Sequence, residues 1–156
     1  MSKKQSVGRW YIAEPRGQTY ALLLKAMAGH GNIATLALSR RKGPATAVPE
    51  ALRNHLRKVQ PVSNRFGNSG MADVAYLDLS KACVQSLTTC AQGWFDWQLP
   101  ALPEDLAIQF ADRVLIGSIA HEQTCWLEGE REFFDAIVQG VPGLKVLEGP
   151  GVRGGR

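Results

Sequence analysis

The sequence contains only three cysteines, Cys83, Cys90 and Cys125, and no two of them form a CxxC pair. An odd number of separated cysteines cannot complete a disulfide framework, which favours a reducing compartment. The N-terminal segment lacks the apolar core of a secretory signal, and no apolar run is long enough to span a bilayer. These absences predict a protein of the cytoplasm.

Phosphate-binding glycine loops are also absent, because neither GxGxxG nor GxxxxGK[ST] occurs in the chain. The close pair Gly29 and Gly31 follows a helical pattern, so it cannot present a helix N-terminus to a phosphate. An HExxH zinc motif fails because Cys125 stands where its second histidine would be. A zinc site from the three cysteines and His121 lacks paired ligand spacing. The sequence therefore predicts no cofactor and no metal.

The composition is that of an ordinary globular domain. The chain has 156 residues, of which 45% are hydrophobic and 21% charged, so it can bury a core without a metal or cross-link. No repeat or internal boundary is visible. We expect one domain over residues 1–147 and a flexible glycine-rich tail over residues 148–156.

Periodicity predicts alternating strands and helices. Strands are expected at 9–13, 33–38, 71–79, 106–110 and 114–119, and helices at 19–28, 49–60, 81–92 and 128–138. The segment 94–103 combines Trp94, Phe95 and Trp97 with two prolines, so it should be a packed crossing rather than a helix. The order β-α-β-α-β-α-β-β-α predicts a single layered α/β domain with a mixed sheet of about five strands.

Charge is distributed unevenly along the chain. Residues 1–69 hold twelve Lys and Arg against two acids, whereas residues 70–149 hold four against twelve. Such segregation can steer association with a partner of opposite charge. Two candidate binding sets follow, a basic one of Arg40, Arg41, Lys42, Arg53 and Arg57, and an acidic one of Glu128, Glu130, Glu132 and Asp135.

His121 and Glu122 are the most suggestive candidate catalytic pair in the chain. Histidine exchanges protons near neutral pH, and a carboxylate could orient it. On the predicted strand, however, neighbouring residues point to opposite faces, which favours a structural His121 that bonds the backbone of the crossing. Among the cysteines, Cys83 lies in the first turn of a helix, the best position for a nucleophile, but Cys83, Leu87 and Cys90 share one face as core residues do.

Residues 99–106, followed by the hairpin and Ser118-Ile119-Ala120-His121-Glu122, resemble a group of small uncharacterised bacterial proteins. That group shows a PEDL element, a hairpin of the kind DGxPWL and an IAHE ending. The match covers mainly residues 94–127, and the turn at 111–113 lacks the glycine and proline of the group. The resemblance implies a bacterial origin and a shared fold, but no catalytic residue or substrate.

These patterns favour a binding protein over an enzyme. Small bacterial domains without a catalytic motif include immunity proteins, which neutralise a cognate toxin through a complementary surface. We therefore expect a protein-binding, antitoxin-like module. Two alternatives remain, a small enzyme that uses His121 and Glu122, and a nucleic-acid-binding protein that uses the basic half.

Overall fold

The computed structural model describes residues 7–41 and 43–148, with Glu148 described in its backbone only. The strands are β1 (Gly8–Ile12), β2 (Ile33–Leu38), β3 (Leu56–Ser63), β4 (Met71–Asp78), β5 (Glu104–Phe110), β6 (Arg113–Ile119), β7 (Thr124–Gly129) and β8 (Val146–Glu148). The α-helices are α1 (Gln18–Ala28), α2 (Lys81–Cys90) and α3 (Arg131–Gly140). The strands form one open sheet in the order β3-β4-β2-β5-β6-β7-β1-β8, with every neighbouring pair antiparallel.

The predicted mixed sheet of about five strands is therefore wrong. A strand-helix-strand unit gives a parallel pair only when its two strands become neighbours. Here α1 joins β1 to β2, which lie four places apart in the sheet, and α2 joins β4 to β5, which flank β2. Each helical connection thus passes over at least one antiparallel strand, and the sheet stays antiparallel throughout.

The core lies between the helices and one face of the sheet, which we call the covered face. Helix α1 contacts both α2 and α3, and its Leu23, Leu24 and Met27 are fully buried, as the periodicity predicts. Leu36 of β2 and Leu127 of β7 belong to the same cluster. None of the helices in the described part of the chain has the length and apolarity needed to cross a membrane.

The crossing between α2 and β5 is packed as expected. Trp94 and Trp97 are fully buried, and both indole N–H groups have partners. Trp94 Nε1 donates to the Leu106 carbonyl at 2.9 Å, and Trp97 Nε1 donates to the Tyr20 hydroxyl at 2.9 Å. The Tyr20 hydroxyl in turn donates to the Leu87 carbonyl at 2.7 Å. The aromatic crossing therefore closes the core without leaving its polar groups unpaired.

The predicted second helix is wrong. Its segment forms a short 3-10 helix, Glu50–His55, followed by strand β3. Only Leu52 of the apolar stripe is buried, while Leu56 and Val59 are exposed. The helical spacing of these residues therefore does not reflect packing of a helix against the core. Pairing with β4 decides the conformation instead, and Pro61 is accommodated because β3 lies at the sheet edge.

Two further strands were missed near the end of the chain. Residues in β7 alternate, with Cys125 and Leu127 in the core and Trp126 on the other side of the sheet, so the last helix begins at Arg131 rather than at residue 128. The short strand β8 pairs with β1 and includes the backbone of Glu148, the first residue of the predicted tail. The rest of that tail, 149–156, lies outside the described residues.

Candidate functional site

A cleft of about 200 Å³ lies on the face of the sheet opposite the helices. Side chains alternate along β2, so Thr35 points away from the core residues Ala34 and Leu36. The loop between β3 and β4 bends over this open face, and Arg65 from that loop donates to Thr35 Oγ1 at 2.9 Å. We call this cavity the loop cleft, and its polar lining comprises Arg65, Asn68, Ser69, Glu104, Asp105 and His121.

Arg65 fastens the loop to the sheet. Its Nη2 donates to Thr35 and also to the Asp105 carbonyl, each at 2.9 Å. Its guanidinium lies 4.4 Å from the Phe66 ring centroid, and Phe66 meets Trp126 edge-on at 5.3 Å. Burial lowers the pKa of Arg65 to about 10, which still leaves it charged at neutral pH. A buried charge of this kind needs partners for all its donors.

One of those donors has none. Arg65 Nη1 is buried and forms no hydrogen bond within residues 7–41 and 43–148. The loop that carries it is also constrained, because Asn64 and Phe66 adopt left-handed backbone conformations with φ of 54° and 53°. Such conformations are costly for a residue like phenylalanine and concentrate at functional sites. The unpaired nitrogen and the constrained loop distinguish this cleft from an ordinary surface hollow.

Two carboxylates and an imidazole converge on the opposite wall. One ligand atom each of Glu104, Asp105 and His121 lies within 4.8 Å of the others. Asp105 Oδ1 accepts the Ala120 N–H at 2.8 Å, yet burial raises the Asp105 pKa above its usual value. Burial, and then Asp105, raise the Glu104 pKa. This is the one group of three metal-type ligands in the described chain, and it can hold a cation or exchange protons.

His121 and Glu122 are both exposed, in the 3-10 turn Ala120–Glu122 rather than on a strand. The expectation that they point to opposite faces is therefore wrong, because His121 Nε2 lies 3.6 Å from Glu122 Oε2. His121 makes no hydrogen bond to the backbone of the crossing in the described structure. It lines the loop cleft instead, together with Arg65 and Glu104, two residues that sequence reasoning missed.

The surroundings of the three cysteines disfavour a nucleophilic thiolate. Cys83 N does receive a helix cap from Ser80 Oγ at 3.1 Å, as its predicted position implies. Burial nevertheless raises the pKa of Cys83 to about 12 and also raises the pKa values of Cys90 and Cys125. The thiolate, which is the reactive form, is therefore disfavoured at all three positions.

The basic candidates surround the edge strand β3. Arg40 pairs with Asp73 at 2.8 Å, and Arg57 of β3 pairs with Asp78. Lys58 Nζ lies 4.8 Å from the Tyr76 ring centroid, a contact that leaves its charge intact. Arg41 and Arg53 form no side-chain ion pair with the described residues, and Lys42 lies outside them. We call this set, Arg40, Arg41, Arg53, Arg57 and Lys58 with strand β3, the basic edge.

The acidic candidates lie on β7, on α3 and between them, towards the sheet edge opposite to β3. Their charges are partly neutralised by ion pairs. Glu128 of β7 pairs with Arg9 at 2.9 Å and accepts the Trp126 indole N–H at 3.2 Å. Asp135 pairs with Arg131 at 3.0 Å. Glu130 lines a second cleft of about 200 Å³ near His30, and Glu132 lies in the first turn of α3. These acids therefore offer less free charge than their number in the sequence suggests.

No family model, curated protein or solved structure matches this chain. A function for the protein must therefore be argued from the surface and the clefts themselves.

Proposed function

We propose that this protein is a protein-binding module of the immunity type, which neutralises a cognate toxin by docking on it through the basic edge. The observation that carries the proposal is the exposure of β3. Among the residues that the structure describes, this strand pairs only with β4, at the end of the sheet, and all of its residues except Val62 are exposed. An exposed edge strand of this length offers backbone groups to a partner strand.

The charges of this edge indicate the chemistry of the partner. Arg57 and Lys58 lie within β3, and Arg53 lies in the 3-10 helix that leads into it. Asp78 and Asp73 offset only Arg57 and Arg40. The excess positive charge fits an acidic strip on the partner and would accelerate encounter with it.

The same edge limits pairing with the wrong partners. Pro61 has no N–H to donate, and like charges on two copies of β3 would repel each other. An acidic segment would remove that repulsion, so the edge combines resistance to self-association with affinity for a complementary protein.

A cytoplasmic site of action fits the three free cysteines, two of which are fully buried. Free thiols persist most readily in a reducing compartment. We therefore place the encounter between module and toxin in the cytoplasm.

Binding kinetics with the purified products of the neighbouring genes test the proposal. One of these products should bind, with an association rate that falls steeply as salt rises. The double variant Arg41→Glu/Arg53→Glu should slow association about tenfold or more at low salt, because neither arginine has an ion-pair partner within the described chain. Lys25→Glu/Lys145→Glu makes the same charge change on exposed residues of helix α1 and of the segment before β8 and should have a much smaller effect.

Equal slowing by both double variants would show that net charge alone drives association, and the docking edge would be refuted. Failure of every neighbouring product to bind at micromolar concentration would refute the immunity function. If short RNA or DNA then bound with a steep salt dependence, the nucleic-acid alternative would replace it.

A further inference from the structure

Arg65 Nη1, which has no hydrogen-bond partner in the described part of the chain, requires an acceptor. Its guanidinium is enclosed, and Nη2 already satisfies Thr35 and the Asp105 carbonyl. A charged donor left without a partner in such surroundings is costly, and an oxyanion or carbonyl oxygen would relieve that cost. Arg65 lines the loop cleft, so the cleft is the route by which an acceptor would arrive.

The facing wall requires a positive group. Glu104 and Asp105 lie side by side with His121. Burial and the charge of Asp105 raise the pKa of Glu104, and burial raises the pKa of Asp105. Asp105 is already held by the Ala120 N–H, whereas Glu104 has no side-chain hydrogen bond within the described structure. A cationic donor placed against Glu104 would offset both effects.

We propose that the loop cleft binds a small zwitterion, a molecule of the α-amino acid class with its carboxylate on Arg65 and its ammonium on Glu104 and Asp105. Each half of such a ligand matches one wall of the cleft. A lone cation would leave Arg65 Nη1 unpaired, and a lone anion would face two carboxylates. This site is separate from the basic edge and does not depend on the proposed docking.

The size of the cleft agrees with a ligand of a few heavy atoms. Its volume of about 200 Å³ is below the range typical of drug-sized ligands. Asn68, Ser69 and Gly70 of the loop also line it, and Gly67 and Gly70 have φ of 81° and 89°. Since Nη1 is buried, the loop must shift for a ligand to reach it, and glycine provides the backbone freedom for that movement.

Calorimetric titration of the full chain with glycine and L-alanine tests this site. Acetate supplies the carboxylate alone, methylamine the ammonium alone, and magnesium and zinc chloride the metal alone. We expect one-to-one binding of the amino acids, at least about tenfold tighter than binding of either one-ended probe, because each charge-assisted hydrogen bond contributes that much. Arg65→Lys should abolish the preference for amino acids over the one-ended probes. Glu104→Gln should weaken amino-acid binding about tenfold without weakening acetate binding, because it removes one of the two carboxylates that an anion faces.

Glu132→Gln is the matched control, since Glu132 is an exposed glutamate of α3 that does not line the cleft. Its amino-acid affinity should equal that of the original chain. Because Arg65→Lys could unfold the loop, the Glu104 variant keeps the test decisive. Acetate binding as tight as glycine, metal binding alone that Glu104→Gln removes, or no binding of any amino acid would each overturn the proposal.

Discussion

The covered face of the sheet and the basic edge differ in the properties that decide stability. On the covered face, Leu36, Leu106 and Leu127 are fully buried. At the basic edge, Leu56 and Val59 remain 37% and 47% exposed, although both belong to the same continuous sheet. Apolar burial is the dominant stabilising contribution in folding, so the covered face holds the fold together while β3 adds little.

This difference leaves β3 free to serve recognition. Substitutions that change its charge alter an exposed surface and leave the core intact. The loop cleft is intermediate, because it buries charged groups of both signs beneath a loop attached to that same edge. The comparison predicts a gradient of effects, which the following substitutions test from the largest to the smallest.

Trp97→Ala should cause the largest loss. The indole is fully buried, and its Nε1 donates to Tyr20, so the free energy of unfolding should fall by roughly 3 to 5 kcal/mol. Urea unfolding measures this loss. Trp97→Phe, which keeps a ring but removes the hydrogen bond, should lose distinctly less. A loss below about 1 kcal/mol for the alanine variant would contradict the assignment of Trp97 to the core.

Gly117→Ala tests the open face beneath the loop. A Cβ at this position would lie 2.5 Å from a ring carbon of Trp126, so the indole must shift from its contact with Phe66. We expect a loss of about 1 to 3 kcal/mol, as for overpacked sites, together with altered tryptophan fluorescence. Gly140→Ala is the control, because its Cβ would meet no atom within 4 Å. A neutral Gly117→Ala would show that Trp126 does not anchor the loop.

Several buried elements could be predicted from the sequence, whereas the exposed strand β3 and the buried strand β7 could not. Helix α1 and strand β2 follow clear apolar periodicities because the core selects those residues. Leu52 lies upstream of β3, and Leu56 and Val59 lie within it. The three residues follow a helical spacing, yet only Leu52 is buried. Nothing local distinguishes such a segment from a surface helix, since pairing with β4 decides its conformation.

The loop cleft was only partly accessible to sequence reasoning. His121 was identified from its chemistry, but Arg65 is a single basic residue in a polar loop, and its role depends on contacts with Thr35 and Asp105, thirty or more positions away. Glu104 and Asp105 belong to the PEDL element of the resemblance, and that resemblance assigns them no role. The order of the strands in the sheet brings these distant residues together. No local spacing in the sequence predicts their proximity.

Glu104→Gln should produce a smaller effect that depends on pH. The pKa values of Glu104 and Asp105 are raised in the folded state, so their contribution to stability is present at low pH and is lost as pH rises through those values. The variant should therefore lose less stability than the original chain as pH rises from the ordinary range of a carboxyl group towards neutrality. Arg65, His121 and Glu122 are the other ionisable groups that act on this pair. Identical pH profiles would contradict the raised Glu104 pKa.

Substitutions at the basic edge should have the smallest effect on folding. Arg53→Glu and Val59→Ala should each change the free energy of unfolding by no more than about 0.5 kcal/mol. Urea unfolding under the conditions used for Trp97→Ala gives the comparison. A loss above about 2 kcal/mol at either position would mean that β3 contributes to stability as the covered face does.

Hydrogen–deuterium exchange of the full chain, free and bound to its partner protein, tests the docking edge most directly. The account predicts that those backbone amides of β3 (Leu56–Ser63) that point away from β4 exchange rapidly in the free protein and are protected in the complex, because a partner strand would pair with the free side of the edge. Amides of α3 (Arg131–Gly140) should be unchanged. Protection of α3 with β3 still exchanging as in the free protein would contradict the account and assign docking to the acidic side.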